Sequence, residues 1–186
     1  MVEKLASDPV LVSFPTDTVP ALATRPEHAD LIYAAKQRSP DKPLILMGAS
    51  LTDLLPYVSG DAVALTTWQQ TVNQHWPGQL TLVLPSSEQT PSSLNPLGTG
   101  TLGIRVPNHP IALALLAQTG PLATTSANVS GQPPLTDPET IARTFPNVFT
   151  LPPNAFTAQP NSGTPSTVVK WTGQDWQVLR QGQIQL

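Results

Sequence analysis

Residues 14–46 read FPTDTVPALATRPEHADLIYAAKQRSPDKPLIL and join an apolar segment to a hydroxyl-rich turn, a helical pattern and a cluster of cations. The apolar run Val10–Phe14 ends at Pro15, which predicts a buried strand whose ladder stops at the proline. The segment PTDTVPA is then predicted to be a turn. Thr24 and Glu27, with a proline between them, match a capping box that begins a helix.

The cations that follow are the most informative part of this stretch. Lys36 follows Ala29 and Ile32 at helical spacing, so it is predicted to leave the helix on its packed side. With Arg38 and Lys42, it brings three of the nine Lys and Arg residues into seven positions. Two interpretations are open: a site for an anion, or a solvated helix end whose cations complement the macrodipole.

Composition narrows the classes of protein to consider. A chain of 186 residues is long enough for one core, and we expect a single domain over residues 1–186. The sequence has no run of eighteen apolar residues and no signal-peptide pattern, which predicts a cytoplasmic protein without a membrane span. The absence of cysteine excludes thiolate sites and a cysteine nucleophile, and three scattered histidines argue against zinc. A net charge of −3 argues against a generic nucleic-acid binder but leaves a local basic cleft open.

The rest of the chain alternates apolar runs with helical patterns. Asn108, and Thr136 together with Glu139, are predicted to cap helices, and the segment 152–165 is predicted to be an unpacked loop. The predicted strands are 44–47, 80–84, 101–106, 122–125, 148–151 and a hairpin of 167–171 with 176–180, and the predicted helices are 50–57, 61–74, 109–118 and 136–143. This order predicts an α/β sandwich with a mixed sheet, because the final pair must be antiparallel.

Two familiar motifs can be set aside. Gly98, Gly100 and Gly103 match GxGxxG, but a loop precedes them and a strand follows, whereas a dinucleotide site needs a strand before and a helix after. The sequence contains no GxxxxGK[ST] loop. Ser126 and Ser130 are nucleophile candidates only if a base lies near, and no GxSxG elbow surrounds them.

Single polar residues allow two interpretations each. Asp17 is either a magnesium ligand or the cap of its own turn, and Arg105, alone in an apolar strand, is either half of an ion pair or a phosphate contact. The segment TTSAN at 124–128 is either an ordinary turn or a ligand site beyond a strand end. Five of the nine cations lie in or beside such polar turns, Arg180 included, which suits a polyphosphate.

Several motifs in order resemble the YrdC/Sua5/YciO family over roughly residues 8–182. They are FPTDTVPAL, the Lys36, Arg38 and Lys42-Pro43-Leu44 pattern, WPGQLTLVLP, LGIRVPNHP, ATTSANVSGQPP, PSTVV and LRQG. The resemblance implies a single-domain, twisted α/β sandwich with a mixed parallel/antiparallel sheet and a concave cationic cleft.

The activity that the resemblance implies is that of a threonylcarbamoyl-AMP synthase, a nucleotidyltransferase that makes threonylcarbamoyl-adenylate and pyrophosphate from L-threonine, bicarbonate and ATP. Partner proteins would then modify adenosine 37 of tRNA, and Mg²⁺ would be carried by the phosphates, without a metal site in the protein. The implied catalytic residues are Lys36, Arg38 and Arg105, of which Lys36 and Arg38 would hold ATP phosphates together with Lys42, and Arg105 would lie near threonine. The implied substrate-binding residues are Lys42, Ser126, Asn128 and Arg180 for ATP, Thr16 and Ser166 near threonine, and Thr18 and Thr124 in the same cleft.

The chain departs from the family pattern after PTDTV, where Pro20 and Ala21 replace the usual tyrosine and glycine. The tyrosine borders the threonine pocket in the family, and losing one hydrogen bond of about 1–3 kcal/mol would weaken threonine binding about 5- to 150-fold. Alanine in place of glycine is expected to restrict the turn. An alternative is therefore a non-catalytic paralogue that binds nucleotide, tRNA or double-stranded RNA through the same cleft. Lys170 also replaces a usual aspartate, and its role is open.

Overall fold

The computed structural model describes residues 1–39, 41–157, 159 and 161–186. Within these residues nine strands form one sheet. The strands are β1 (Leu11–Phe14), β2 (Ala21–Thr24), β3 (Ile45–Met47), β4 (Leu80–Pro85), β5 (Thr101–Arg105), β6 (Leu122–Ser126), β7 (Val148–Thr150), β8 (Thr167–Trp171) and β9 (Trp176–Arg180). They lie in the order β7-β1-β2-β6-β3-β5-β4-β8-β9.

The sheet mixes both strand directions. The pairs β1/β7, β3/β5 and β4/β8 are parallel, and the other neighbouring strands are antiparallel. The mixed α/β prediction is therefore confirmed, including the terminal antiparallel hairpin. The single-domain prediction over residues 1–186 stays a prediction.

Helices pack on both faces of the sheet. They are α1 (Val2–Ser7), α2 (Asp30–Lys36), α3 (Leu51–Leu54), α4 (Ala62–His75), α5 (Pro110–Thr119), α6 (Pro138–Thr144) and α7 (Pro153–Thr157), with short 3₁₀ turns at Pro26–His28, Leu55–Tyr57 and Ser92–Leu94. The larger apolar cluster joins α2, α4 and α6 to residues such as Leu22 and Leu82. The smaller cluster joins α1 and α5 to Val12, Phe14 and Ala23 on the opposite face.

The predicted turn and capping box in the opening stretch are partly wrong. Residues 15–20 do form the turn, but Ala21–Thr24 is strand β2, hydrogen-bonded between β1 and β6. Thr24 closes that strand, and the 3₁₀ turn that follows begins after Arg25 without a side-chain cap. Sheet partners thus override the local capping signal. The predicted break after Lys36 includes Pro40, which lies outside the described residues.

Three further local predictions are corrected by the structure. His109, not Asn108, is the N-cap residue of α5, and it makes no side-chain cap bond. Asp137, not Thr136, caps α6 by accepting a hydrogen bond from the Thr140 amide. The segment predicted to be an unpacked loop contains α7, because Phe156 packs into the larger core with 6% exposure.

No helix in the described ranges is both long enough and apolar enough to cross a membrane.

We predict that the stability of the protein depends on buried side chains of the central strands and not on those of the exposed edge strand β9. Leu82→Ala in β4, where the side chain is fully buried, should lower the free energy of unfolding by about 2–5 kcal/mol. Leu179→Ala in β9, where the same side chain is 52% exposed, is the matched control and should cost less than about 1 kcal/mol. Urea denaturation measures both values, and equal losses would contradict this placement of the core.

Candidate functional site

Side-chain alternation along four neighbouring strands brings several polar side chains to one face of the sheet. Ile45 and Met47 of β3 lie opposite Gly103 and Arg105 of β5, and Ile45 also lies opposite Thr124 of β6. Since residues two apart share a face, Ser126 joins Thr124, and Ala21 of β2 pairs directly with Ser126. The opposite face of the same strands carries core residues such as Leu22, Leu46 and Ile104.

A pocket of about 140 Å³ opens over this face of the sheet. The lining residues are Thr18, Val19, Ala21, Arg38, Pro43, Ile45, Met47, Arg105, Thr124, Thr125, Ser126, Pro165, Ser166 and Arg180. This lining contains three arginines, five hydroxyl side chains and no carboxylate, a composition suited to an anion with several oxygens.

Arg105 is the most deeply buried of the three arginines. It is 3% exposed, and its Nη2 lies 2.6 Å from Asp17 Oδ1 in a buried salt bridge. Its other groups donate to the Thr18 hydroxyl at 2.9 Å and to the Gly78 carbonyl at 3.0 Å. Burial lowers the pKa of Arg105, and the Asp17 carboxylate opposes that shift. The sequence left an ion pair and a phosphate contact open for Arg105, and the structure contains the ion pair.

Arg38 and Arg180 line the pocket without a salt bridge. Within the described residues the two salt bridges are Arg105–Asp17 and the surface pair Arg25–Glu27. Arg38 donates to the carbonyls of Lys42 at 2.8 Å and Pro43 at 3.1 Å. Burial lowers the pKa of Arg38, but an arginine stays charged at neutral pH.

Arg180 is fixed by Ser166, the residue just before β8. Its Nε donates to the Ser166 carbonyl at 3.0 Å, and its Nη2 donates to the Ser166 hydroxyl at 3.2 Å. The Ser166 hydroxyl also shares a 2.8 Å hydrogen bond with Thr81. Gly182 makes this approach possible, because a Cβ there would lie 2.6 Å from the Pro165 carbonyl oxygen. The LRQG sequence thus supplies both the cation and the close backbone contact that positions it.

Lys36 lies behind the pocket and is 1% exposed. Its Nζ donates to the Ser126 carbonyl and, at 3.0 Å, to Asn128 Oδ1. Burial, and secondly the charge of Arg38, lower the pKa of Lys36 to about 7. The prediction that Lys36 leaves its helix on the packed side is therefore confirmed.

Most of the hydroxyls at the site already have partners. Thr124 donates to the Ile45 carbonyl at 2.9 Å, and Ser126 donates to Asn128 Oδ1 at 2.5 Å. Thr16 is fully buried and donates to the Val19 carbonyl at 2.7 Å, which closes the turn at 15–20. Thr16 therefore shapes the turn that carries Thr18, while Thr18 itself lines the pocket.

The structure brings most of the predicted site residues together. Seven of the eleven line the pocket, and these are Thr18, Arg38, Arg105, Thr124, Ser126, Ser166 and Arg180. Thr16, Lys36 and Asn128 lie beneath it, and Lys42 is exposed and outside the lining. The roles predicted for these residues, and the concave cationic cleft as a whole, stay predictions.

Sequence reasoning missed the apolar half of the lining, represented by Val19, Ile45 and Met47. These side chains look like ordinary core residues in the sequence, and only their position beside Arg105 and Thr124 would have identified them.

The departures at positions 20 and 21 have different consequences. Pro20 is buried and outside the lining, and its carbonyl accepts a hydrogen bond from the Ala127 amide at 2.8 Å. Ala21 belongs to β2, and any residue can adopt the extended backbone conformation of a strand. The expectation that alanine restricts a turn at this position is therefore wrong.

No metal-binding cluster of three or more His, Cys, Asp or Glu side chains occurs in the ranges that the structure describes. Asp17, for which the sequence allowed a magnesium ligand or a turn cap, has one carboxylate oxygen engaged by Arg105 instead.

The fold and the pocket define an α/β protein with an anion-suited ligand site. The sequence model of the Sua5/YciO/YrdC family, described as "Telomere recombination", matches residues 5–182. The chain belongs to this family, as its motifs indicate.

Three relatives illustrate the similarity. The chain is 39% identical to Bacillus subtilis threonylcarbamoyl-AMP synthase over 136 residues, which are 71% of this chain and 38% of that protein. The crystal structure of P. abyssi Sua5 complexed with L-threonine is 32% identical with a TM-score of 0.82, covering 94% of this chain and 51% of that one. E. coli YciO is 26% identical with a TM-score of 0.81, covering 98% and 87%. The chain thus spans well under two thirds of the Bacillus relative.

We predict that removing one partner of the Arg105–Asp17 pair lowers stability, because the other partner is left as an unpaired buried charge. Asp17→Ala should lower the free energy of unfolding by about 3–5 kcal/mol. The double variant Asp17→Ala/Arg105→Met should recover much of that loss, as it removes both charges. Chemical denaturation of the single and double variants tests this, and a double variant less stable than Asp17→Ala would contradict it.

The pKa of Lys36 also predicts a dependence of stability on pH. The folded value of about 7 lies below the usual 10.5, so between these pH values the unfolded chain binds a proton that the folded chain does not. The free energy of unfolding of the wild-type protein, relative to that of Lys36→Met, should therefore rise with pH from 7 to 10.5. The slope should be up to about 1.4 kcal/mol per pH unit. Below pH 7 the difference should be constant. A difference in unfolding free energy that stays flat from pH 6 to 10 would contradict this prediction.

Proposed function

We propose that this protein forms threonylcarbamoyl-AMP and pyrophosphate from L-threonine, bicarbonate and ATP. The observation that carries the proposal is the pocket lined both by Arg38 and Arg180, which make no salt bridge in the described part of the chain, and by hydroxyl side chains of β6 and of Ser166, just before β8. The naming of the Bacillus relative and the L-threonine complex of P. abyssi Sua5 support the same substrates.

The proposed chemistry requires no covalent intermediate with the protein. The amine of threonine forms an N–C bond with the carbon of bicarbonate, which loses water and leaves a carbamate. A carbamate oxygen then attacks the α-phosphorus of ATP, and the bond from that phosphorus to the β-phosphate oxygen breaks, releasing pyrophosphate. Such a transfer depends on positioning and on cations that stabilise the charge developing on the phosphate oxygens.

The three arginines of the pocket are proposed to bind different substrates. Arg38 and Arg180 are proposed to hold the triphosphate, because each keeps free N–H donors and neither has a salt-bridge partner. Arg105 uses three of its five N–H groups on Asp17, Thr18 and Gly78, which leaves two for the threonine carboxylate. Ser166, which also lines the pocket and accepts a hydrogen bond from Arg180, would contact either substrate.

Mg²⁺ is proposed to arrive with the phosphates. The lining has no carboxylate, and Asp17 is engaged by Arg105, so the chain would add few or no anionic ligands of its own. Transfer of the threonylcarbamoyl group to tRNA, with further proteins, and a cytoplasmic location belong to the same proposal.

The function is tested by pyrophosphate release. The purified protein, given ATP, Mg²⁺ and bicarbonate, should release pyrophosphate only when L-threonine is present. Arg38→Ala should lower kcat/KM by about 100-fold, because it removes a cation from the reacting phosphates. Arg143→Ala is the control, since Arg143 is exposed on α6 and outside the pocket, and its activity should be unchanged.

A protein that binds ATP or RNA tightly, releases no pyrophosphate and shows no coupling between ATP and threonine would be the non-catalytic paralogue instead.

A further inference from the structure

Thr167 is a buried hydroxyl residue next to the pocket but outside its lining. It is the first residue of β8 and is 1% exposed, and the lining includes its neighbours Pro165 and Ser166 but not Thr167. Its backbone amide donates to the Gln79 carbonyl at 3.0 Å, which ties this end of β8 to the residue just before β4. Thr167 is therefore not part of the pocket wall, and its role follows from its hydrogen bonds.

The Thr167 hydroxyl holds the segment that follows Arg180. It donates to the Ile184 carbonyl at 2.8 Å, and it accepts from the amides of Gly182 at 3.0 Å and Ile184 at 3.1 Å. A hydroxyl has one proton and two lone pairs, so these three bonds use its full capacity. Gln181 closes the same segment, because its Nε2 donates to the carbonyls of Gly182 and Ile184. Residues 181–184, called the 181–184 turn below, thus fold around one hydroxyl.

The 181–184 turn lies against the backbone that Arg180 contacts. A Cβ on Gly182 would lie 2.6 Å from the Pro165 carbonyl oxygen and 2.6 Å from the Thr167 amide nitrogen. Arg180 precedes Gly182 by two residues and donates to the Ser166 carbonyl and hydroxyl at 3.0 and 3.2 Å. The bonds of Thr167 therefore hold the end of β9 beside Ser166, where the Arg180 guanidinium lines the pocket.

Strand pairing alone holds this end of β9 weakly. β9 is an edge strand, and its register with β8 shifts between Val168 and Val169, where Val168 pairs with Arg180. Such an irregularity interrupts the hydrogen-bond ladder. Fixing a long arginine side chain also costs rotamer entropy, which further contacts must offset. An anchor just beyond the strand therefore limits the movement of Arg180.

We propose that Thr167 is a positioning residue, which fixes the 181–184 turn and thereby holds Arg180 in place for the phosphates of the nucleotide. Thr167 touches no substrate itself, since its hydroxyl is fully used by the turn. The proposal rests on the proposed function for the identity of the anion. Its distinctive consequence is that Thr167 affects binding only through Arg180.

A double-mutant cycle, measured by titration calorimetry with ATP and Mg²⁺, tests this route. Thr167→Val keeps the size of the side chain but removes three hydrogen bonds, and it should weaken ATP binding about 10-fold. Thr167→Ser keeps the hydroxyl and should stay within about 2-fold of the wild-type affinity. In an Arg180→Met background, Thr167→Val should cause no further loss beyond about 2-fold. A 10-fold loss that persists without Arg180, or no loss when Arg180 is present, would overturn the proposal.

Thr24→Val is the matched control. Thr24 is also a fully buried strand threonine outside the pocket lining, and its hydroxyl has no hydrogen-bond partner among the residues that the structure describes. The same exchange at this position should leave the affinity for ATP unchanged. A loss as large as that of Thr167→Val would mean that general loosening of the sheet, and not the 181–184 turn, weakens binding.

Ile184→Pro tests the turn without altering the sheet, and it decides the matter if Thr167→Val does not fold. Proline removes the Ile184 amide, which is one of the two donors to the Thr167 hydroxyl. The variant should weaken ATP binding about 3-fold when Arg180 is present and have no effect in the Arg180→Met background. Wild-type affinity in Ile184→Pro would contradict the proposal.

Hydrogen exchange in the free protein separates this proposal from the proposed function. The Arg180 Nε–H group, which donates to the Ser166 carbonyl, should exchange at least about 5-fold faster in Thr167→Val than in the wild-type protein or in Thr24→Val, as measured by NMR. Equal exchange rates in the wild-type protein and Thr167→Val would refute the positioning role. If the wild-type protein binds no ATP, the proposed function fails, and this measurement still decides the role of Thr167.

Discussion

The buried ion pair between Arg105 and Asp17 is the contact on which the pocket depends. A guanidinium with 3% exposure must be paired, since removing a charge from water costs several kcal/mol. Its partners come from the turn at 15–20, which supplies Asp17 and Thr18, and from Gly78, just before β4. The pair thus fixes the turn after β1 against β5, and both the turn and the strand contribute residues to the pocket wall.

The same pair explains why three arginines in one pocket serve different purposes. Asp17 neutralises Arg105, so the net positive charge of the lining comes from Arg38 and Arg180. In a protein with a net charge of −3, a local excess of cations away from carboxylates is the feature that attracts an anion. These two arginines come from distant parts of the sequence, where Arg38 donates to the Pro43 carbonyl and Arg180 to the Ser166 hydroxyl.

The sequence predicted those features that neighbouring residues determine. Apolar runs bounded by proline or glycine located most strands, and helical spacing predicted that Lys36 lies on the packed side of its helix. Strand β2 was missed because ALAT has small side chains and follows a proline, and its strand character comes from β1 and β6, which are distant in sequence. The sequence predicted Thr136 as the N-cap of α6, whereas Asp137 is the N-cap. Threonine and aspartate are both good N-cap residues, so the sequence does not show which of two neighbours begins the helix. The contact of Lys36 with Asn128 joins residues 92 positions apart and depends on the sheet order, which a single sequence does not specify.

The hydrogen bonds of the pocket also indicate how it could work as an enzyme. A hydroxyl nucleophile needs a base, and the lining contains no His, Asp, Glu or Lys side chain. The protons of Thr124 and Ser126 are already donated to Ile45 and Asn128. The pocket is therefore better suited to hold two substrates that react with each other than to attack one of them. In the proposed reaction, a carbamate made from threonine brings its own anionic oxygen as the nucleophile. The chain then needs to supply only orientation and positive charge, and its arginines and fixed hydroxyls are the groups that provide them.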